Sequence, residues 1–255
     1  PGSSPGGPTN DTPAERKLSF FLFPGGMMIH LTARLRHVAD LIPSCQSMAD
    51  IGTDHAYLPL FLLEKGKVQW AIASDIHKGP LERARAHLKG QEKGENIELR
   101  LGGGLSPLET GEVDGAVMAG MGGLMMRDIL EADFPKAQSL SWLVLQPQNH
   151  VAELKQYLAG HHFMIMQEDM VMEDRRLYEM MLVKPGAMKE ISLLEGEIGV
   201  TENYRQHPLF HEHLRRLIRK RDFLIQGVAE DTDNERNRRR REKALEEKKR
   251  LEAFL

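Results

Sequence analysis

Cysteine is almost missing from this chain: of 255 residues, only Cys45 carries a thiol. A lone thiol excludes a disulfide framework and a Cys-based zinc site, and it suits a reducing compartment. A cytoplasmic protein with no resident metal is therefore expected. Long apolar runs are missing too. No stretch approaches the roughly 18 to 20 residues that a membrane-crossing helix needs, so no membrane partner is expected. A net charge of one sign is also lacking, with 34 Lys/Arg against 37 Asp/Glu giving −3. What remains is 41% hydrophobic and 28% charged residues, ordinary for a globular protein. The length suits one large α/β domain with an appendage, or two modest domains.

The neutral total hides an asymmetry. Residues 201–255 hold 15 Lys/Arg against 11 Asp/Glu, a net +4, which leaves 19 against 26, a net −7, for residues 1–200. A basic segment keeps a polyanionic partner open.

Residues 1–27 are rich in Pro and Gly around the short run Leu18–Phe23 and read as a disordered extension or an expression remnant, with Met27 or Met28 as a native start. From Leu31 the pattern is regular. A short amphipathic helix ends at Ile42-Pro43. Apolar runs follow at Ser47–Ile51, Trp70–Ser74, Ile97–Leu101, Val113–Met118 and Leu140–Leu145, with helical patterns between them. Such alternation predicts a parallel sheet covered on both faces. Phe163–Met172 and Leu177–Val183, joined by a short polar turn, predict an antiparallel hairpin that completes seven strands. This α/β body, expected over residues 28–186, gives way to three- and four-residue apolar spacing in 187–255. Leu214, Leu217, Leu224, Ala244, Leu245 and Leu251 carry it, read as a helical hairpin with a coiled-coil seam.

Chemistry is expected at the carboxyl ends of the strands. The first strand runs into Asp50-Ile51-Gly52-Thr53-Asp54-His55-Ala56-Tyr57. Gly52 permits a sharp turn and a close backbone approach. A pyrophosphate cradle would need glycine at 54 and 57, where Asp54 and Tyr57 stand instead. A carboxylate there repels phosphate but tolerates a sulfonium and an ammonium, so the loop suits S-adenosyl-L-methionine better than a dinucleotide. Asp75, 23 residues beyond Gly52, is placed for ribose hydroxyls, or else caps the following helix. Gly102-Gly103-Gly104-Leu105 and Gly120-Met121-Gly122-Gly123 end two further strands and leave room for a flat ring, or merely turn the chain. Gln146-Pro147-Gln148-Asn149 ends the fifth strand with carboxamides able to read a nucleobase edge, Asn149 being equally placed to cap the next helix.

The blocks Ala49–Pro59, Ala119–Gly123 and Leu145–Pro147 resemble the signatures of the TrmK-type bacterial tRNA methyltransferases. The resemblance runs from about Leu31 to Leu255. It implies a Rossmann-like class I methyltransferase domain followed by a helical coiled-coil domain, and transfer of a methyl group from S-adenosyl-L-methionine to N1 of adenine 22 in tRNA. It also implies that Asp50 and Gly52 line the methionine end of the cofactor, Asp75 with Ile76 its ribose, and Gly102 to Leu105 its adenine. Gly120, Met121 and Gly122 would border the catalytic pocket from the cofactor side. Asp54, His55, Tyr57 and Asn149 are the candidate catalytic residues, with Tyr57 offering an aromatic face to the target base. In one departure, Gly103 stands where the family usually has an aspartate that meets the adenine amine. Arg215, Arg216, Arg219, Lys220 and Arg221 are the candidate tRNA-binding cluster, and Arg236 with Arg238–Arg241 a second. The competing readings are a methyltransferase for another RNA or protein acceptor, and an inactive Rossmann-like RNA-binding module. No Asn-Pro-Pro-Tyr-like motif follows the fourth strand, which argues against methylation of an exocyclic amine.

Overall fold

A computed structural model describes residues 22–23, 26–27, 29–228 and 235–255. Most of the expected extension, and residues 229–234, lie outside the described residues. Within the former, β1 (Leu22–Phe23) and β2 (Gly26–Met27) pair as a two-residue hairpin.

The body is a seven-stranded sheet in the order β5-β4-β3-β6-β7-β9-β8. Its strands are β3 (Ser47–Ile51), β4 (Trp70–Asp75), β5 (Ile97–Leu101), β6 (Gly115–Met121), β7 (Trp142–Pro147), β8 (Phe163–Glu173) and β9 (Arg176–Pro185). The first five pair in parallel, and β9 inserts antiparallel between β7 and β8. Near-continuous burial of β3, β4 and β7 follows from cover on both faces. Helices α1 (Ala33–Leu41), α2 (Tyr57–Glu64) and α3 (Lys78–Leu88) pack on one face around Val38, Leu60, Leu62 and Ala84. Helices α4 (Gly123–Ala132), α5 (Phe134–Ser139) and α6 (Val151–Gly160) pack on the other around Met126, Leu130, Leu154 and Leu158. Strand order reverses at β3, so β3 and β6 diverge into a crevice at their carboxyl ends.

The tail holds more than a hairpin. Two short helices, α7 (Leu193–Ile198) and α8 (Glu202–Arg205), precede the long pair α9 (Phe210–Val228) and α10 (Glu235–Glu252). Ser192 and Glu195 start α7 with a reciprocal capping box. Leu194, Tyr204, Phe210, Leu214, Leu217 and Leu251 form a third core that includes Met170 of β8, so the tail is built onto the sheet. A buried polar knot reinforces the junction. Lys155 of α6, 1% exposed, meets Glu168 at 2.7 Å and Glu179 at 3.3 Å. Tyr204 Oη donates to Glu179 at 2.6 Å, and Glu168 accepts from the Val200 and Thr201 amides at 2.8 and 2.7 Å. At the free flank of β8, the Asn203 carboxamide donates to the Glu168 carbonyl at 2.5 Å and lies 3.5 Å from its amide.

Candidate active site

Alternation along the strands decides which side chains meet. Ala49 and Ile51 of β3 face the α4–α6 layer, so Asp50 between them faces the α1–α3 layer. Asp75 follows Ala71 and Ala73 on that same face, Gln146 follows Val144, and Ala119 and Tyr178 pack there directly. Four strand ends, those of β3, β4, β7 and β9, therefore turn polar or aromatic side chains toward one crevice, walled by α1 and α2.

Asp50 is the buried charge of this crevice. It is 7% exposed and has no cation partner among the described residues. Burial pushes its carboxyl up to about 6; the Thr53 hydroxyl draws it back and the Asp75 charge adds to the rise. The loop after β3 is held by Ser74 of β4, whose carbonyl accepts from Gly52 N–H at 2.8 Å and Thr53 N–H at 2.9 Å. Gly52 has φ +77°, and a Cβ there would lie 2.1 Å from the Met121 methyl. The positive φ favours glycine, and any side chain there would have to push the Met121 methyl aside. Thr53 Oγ1 then accepts from Ala56 N–H at 3.1 Å and closes the loop onto α2.

Asp75 stands at the carboxyl end of β4. Its Oδ1 accepts from His77 N–H at 2.7 Å ahead of α3, while its side chain stays at the crevice edge, 14% exposed. Beside it Ile76 is 65% exposed, an apolar side chain left in solvent. A Cβ on Gly103 would sit 3.4 Å from Ile76 Cδ1, so the two residues make a flat apolar shelf. Gly102 is fixed to the same strand by its N–H to the Asp75 carbonyl at 3.0 Å, and Gly104 turns at φ +55°. Leu105 differs from expectation: its side chain is buried in the α4–α6 core.

On the α2 side, the His55 ring stacks on Tyr57 with centroids 5.0 Å apart, and Tyr57 meets His87 edge-on at 4.3 Å. His87 Nδ1–H donates to the His55 carbonyl at 2.8 Å, and burial holds this imidazole below its ordinary value, hence neutral. Asp54 points outward, bonded to Arg83 with Nε 3.1 Å away, and lies 3.4 Å from His55 Nε2. Its charge is already met by a guanidinium. Neither His55 nor Asn149 caps a helix: Ala56 and His150 hold those positions at φ +55° and +49°.

The β6 and β7 ends close the far side. Gly120 turns at φ +85° and Gly122 precedes α4. Gln146 is fully buried with both ends used: Oε1 accepts from Arg34 Nη1 at 2.6 Å, and Nε2 donates to the Pro147 carbonyl at 3.0 Å. Asn149 is exposed, its Oδ1 accepting from His150 Nδ1–H at 2.9 Å, and its carbonyl accepts from Gly123 N–H at 3.0 Å. Arg34, Thr53 and His87 were not singled out from sequence. Arg34 sits on a short amphipathic helix and reaches a glutamine 112 positions away, which no local pattern reveals.

The basic residues of α9 lie apart from these strand ends and do not act alike. Arg215 is exposed; Arg216 and Arg219 share Glu212 at 3.0 and 3.1 Å, and Lys220 lies 3.4 Å from Glu197. Arg221 is 5% exposed and clamped between Glu197 and Glu247, so it braces α7, α9 and α10 rather than facing solvent with the other four. In the second cluster, Arg238 and Arg239 pair with Glu235. A groove of about 650 Å³ links the two regions, lined by Asn149 and His150 on the body and by Lys220, Arg221, Arg240 and Lys243 on the tail.

A buried carboxylate awaiting a cation, a second carboxylate at the neighbouring strand end and an apolar shelf beside it fit a flat ligand with a positively charged end. Among the described residues, no His/Cys/Asp/Glu cluster suits a metal ion, and no helix is long and apolar enough to cross a membrane. A family described as "Methyltransferase domain" matches residues 31–181. The tRNA (adenine(22)-N(1))-methyltransferase of Bacillus subtilis is 30% identical over 217 residues, covering 83% of this chain and 91% of that protein. A Streptococcus pneumoniae structure described as a tRNA (m1A22) methyltransferase in complex with S-adenosyl-L-methionine superposes with TM-score 0.77 at 28% identity, covering 89% and 100% of the two chains. Mycoplasma capricolum TrmK in complex with S-adenosyl-homocysteine gives TM-score 0.77 at 25% identity, with 88% and 99% covered.

Proposed function

The chain belongs to the family of tRNA (adenine(22)-N(1))-methyltransferases, and on that premise we propose that it methylates N1 of adenine 22 in tRNA at the β3–β6 crevice. When bound, S-adenosyl-L-methionine supplies an electrophilic methyl group on a sulfonium. Asp50 carries this reading: its buried carboxylate, unmatched by any cation among the described residues, suits an ammonium group. Asp75 takes the ribose hydroxyls, and Ile76 with Gly103 takes the adenine ring.

Adenine N1 bears an in-plane lone pair, so the chain has no proton to remove before transfer. Its work is alignment and exclusion of water. Tyr57, stacked under His55 and braced by His87, offers the aromatic face for the target base. Asp54, neutralised by Arg83, steadies His55 rather than accepting a proton. Asn149 supplies a carboxamide at the acceptor end. Arg215, Arg216, Arg219 and Lys220 meet the body of the tRNA. A target base held inside a folded loop has to be turned out to reach strand ends.

The test is incubation with S-adenosyl-L-methionine and unmodified tRNA, followed by nucleoside analysis for 1-methyladenosine. Asp50→Ala abolishes cofactor binding in titration calorimetry, whereas His55→Ala slows turnover with cofactor binding kept. Unchanged cofactor affinity in the Asp50 variant would sink the assignment.

A further inference from the structure

Arg34 is a cation without a counter-charge. It is half-buried at the start of α1, and no carboxylate lies in ion-pair distance of its guanidinium among the described residues. Three other arginines of the body are taken up by carboxylates: Arg83 by Asp54, Arg100 by Glu98 and Glu112, Arg127 by Asp128. Arg34 is also held in place. Its backbone N–H donates to the Glu173 carboxylate at 2.9 Å, its Nη1 to the buried Gln146 at 2.6 Å, and its Cζ lies 5.7 Å from the Tyr178 ring centre. Gln146 in turn spends its other end on the Pro147 carbonyl, so the acceptor that fixes Arg34 cannot swing away. One hydrogen bond occupies one of five guanidinium N–H groups, and the rest remain for a ligand.

The position of that charge is specific. A Cβ on Gly120 would lie 3.7 Å from Arg34 Nη1, so the guanidinium overhangs the end of β6. This is the acceptor side of the crevice, across Gly120 from the cofactor residues Asp50 and Asp75. A guanidinium against the adenine ring itself would oppose the reaction, because N1-methylation leaves that ring cationic. A phosphodiester carries the opposite sign and matches the planar fork.

We infer that Arg34 binds the backbone phosphate flanking the target adenosine, and thereby seats the turned-out nucleotide over Gly120. The inference rests on the tRNA-methyltransferase reading above. It adds to it a phosphate contact on the catalytic body itself, whose overall charge is acidic.

The test pairs a protein change with a substrate change. In Arg34→Gln, KM for unmodified tRNA rises about tenfold or more, as for loss of a charged hydrogen bond. The slope of log KM against log salt falls by about one. Cofactor affinity by calorimetry stays at the wild-type value, and Arg34→Lys recovers part of the loss. The wild-type enzyme is then given tRNA with a neutral methylphosphonate on either side of adenine 22. One of the two substitutions reproduces the loss, and it adds nothing further in Arg34→Gln. This arm needs only wild-type protein, so it decides the matter even if a variant misfolds. A wild-type salt slope in Arg34→Gln, a fall in kcat with KM kept, or equal KM for both neutral substrates would overturn the inference. Absence of 1-methyladenosine with wild-type protein and native tRNA would instead overturn the functional reading beneath it.

Discussion

On the proposed reading, Asp50 should set a pH limit on cofactor binding. Its carboxyl rises from an ordinary 3.8 to about 6 because ionisation is penalised in the buried site. A raised acid stabilises the free fold fully below about pH 4 and loses that contribution as pH climbs toward 6. An ammonium ligand needs the ionised form, so cofactor affinity runs the other way. It should be flat above pH 6 and weaken by up to tenfold per unit below it, with buffer-dependent proton release on binding. Calorimetry from pH 5 to 8 checks this, and Asp50→Asn should abolish the dependence along with most of the affinity. Gly103 yields a prediction of gain. A Cβ there meets only the flexible Ile76 end at 3.4 Å, and its φ lies outside the left-handed range, so a side chain fits. Gly103→Asp restores an acceptor for the adenine amine and should tighten S-adenosyl-L-methionine by about three- to tenfold, one added hydrogen bond. The residues singled out in sequence, Asp50, Gly52 and Asp75, stand in or beside their own strand-end loops, where a local pattern shows them. Arg34, Gln146 and His87 were illegible in this role, because each acts on a partner brought close only by the sheet.

Among the elements, the β8–β9 hairpin and α6 carry the most concentrated strain on stability. Lys155 is shared between Glu168, which is fully buried, and Glu179, which is 15% exposed. Its burial opposes the charge, but the two carboxylates outweigh this and hold its ammonium above the ordinary value. Lys155→Met leaves both carboxylates without a cation and should cost about 3–5 kcal/mol, read as a shift in denaturant midpoint with an unchanged slope. The strands were legible from apolar runs and glycine ends because parallel strands covered on both faces must be apolar. Helices α7 and α8 were not: six and four residues are too few to show a 3.6 period, and a capping box and a tertiary core hold them. Lys155 itself resembled any exposed lysine of an amphipathic helix.

For the whole molecule, the opposed charges of body and tail support the proposal that the tail meets the polyanion. Removing residues 201–255 is a poor probe of this, since Tyr204, Phe210, Leu214 and Leu217 belong to a core shared with β8. Charge reversal is cleaner. Arg215→Glu with Arg219→Glu changes exposed side chains and should weaken tRNA binding while steepening its loss with salt less than in wild type, measured by filter binding across salt concentrations. Arg221→Glu should instead lower the melting temperature, because it puts a third acid beside Glu197 and Glu247. Asn203 has a different consequence again. Strand β8 ends the sheet, and an open strand end-row invites a second chain to pair with it. The Asn203 carboxamide takes the Glu168 carbonyl that such a visitor would need. The tail thus also closes part of the open edge of the sheet, in the way a guard against edge-to-edge pairing would.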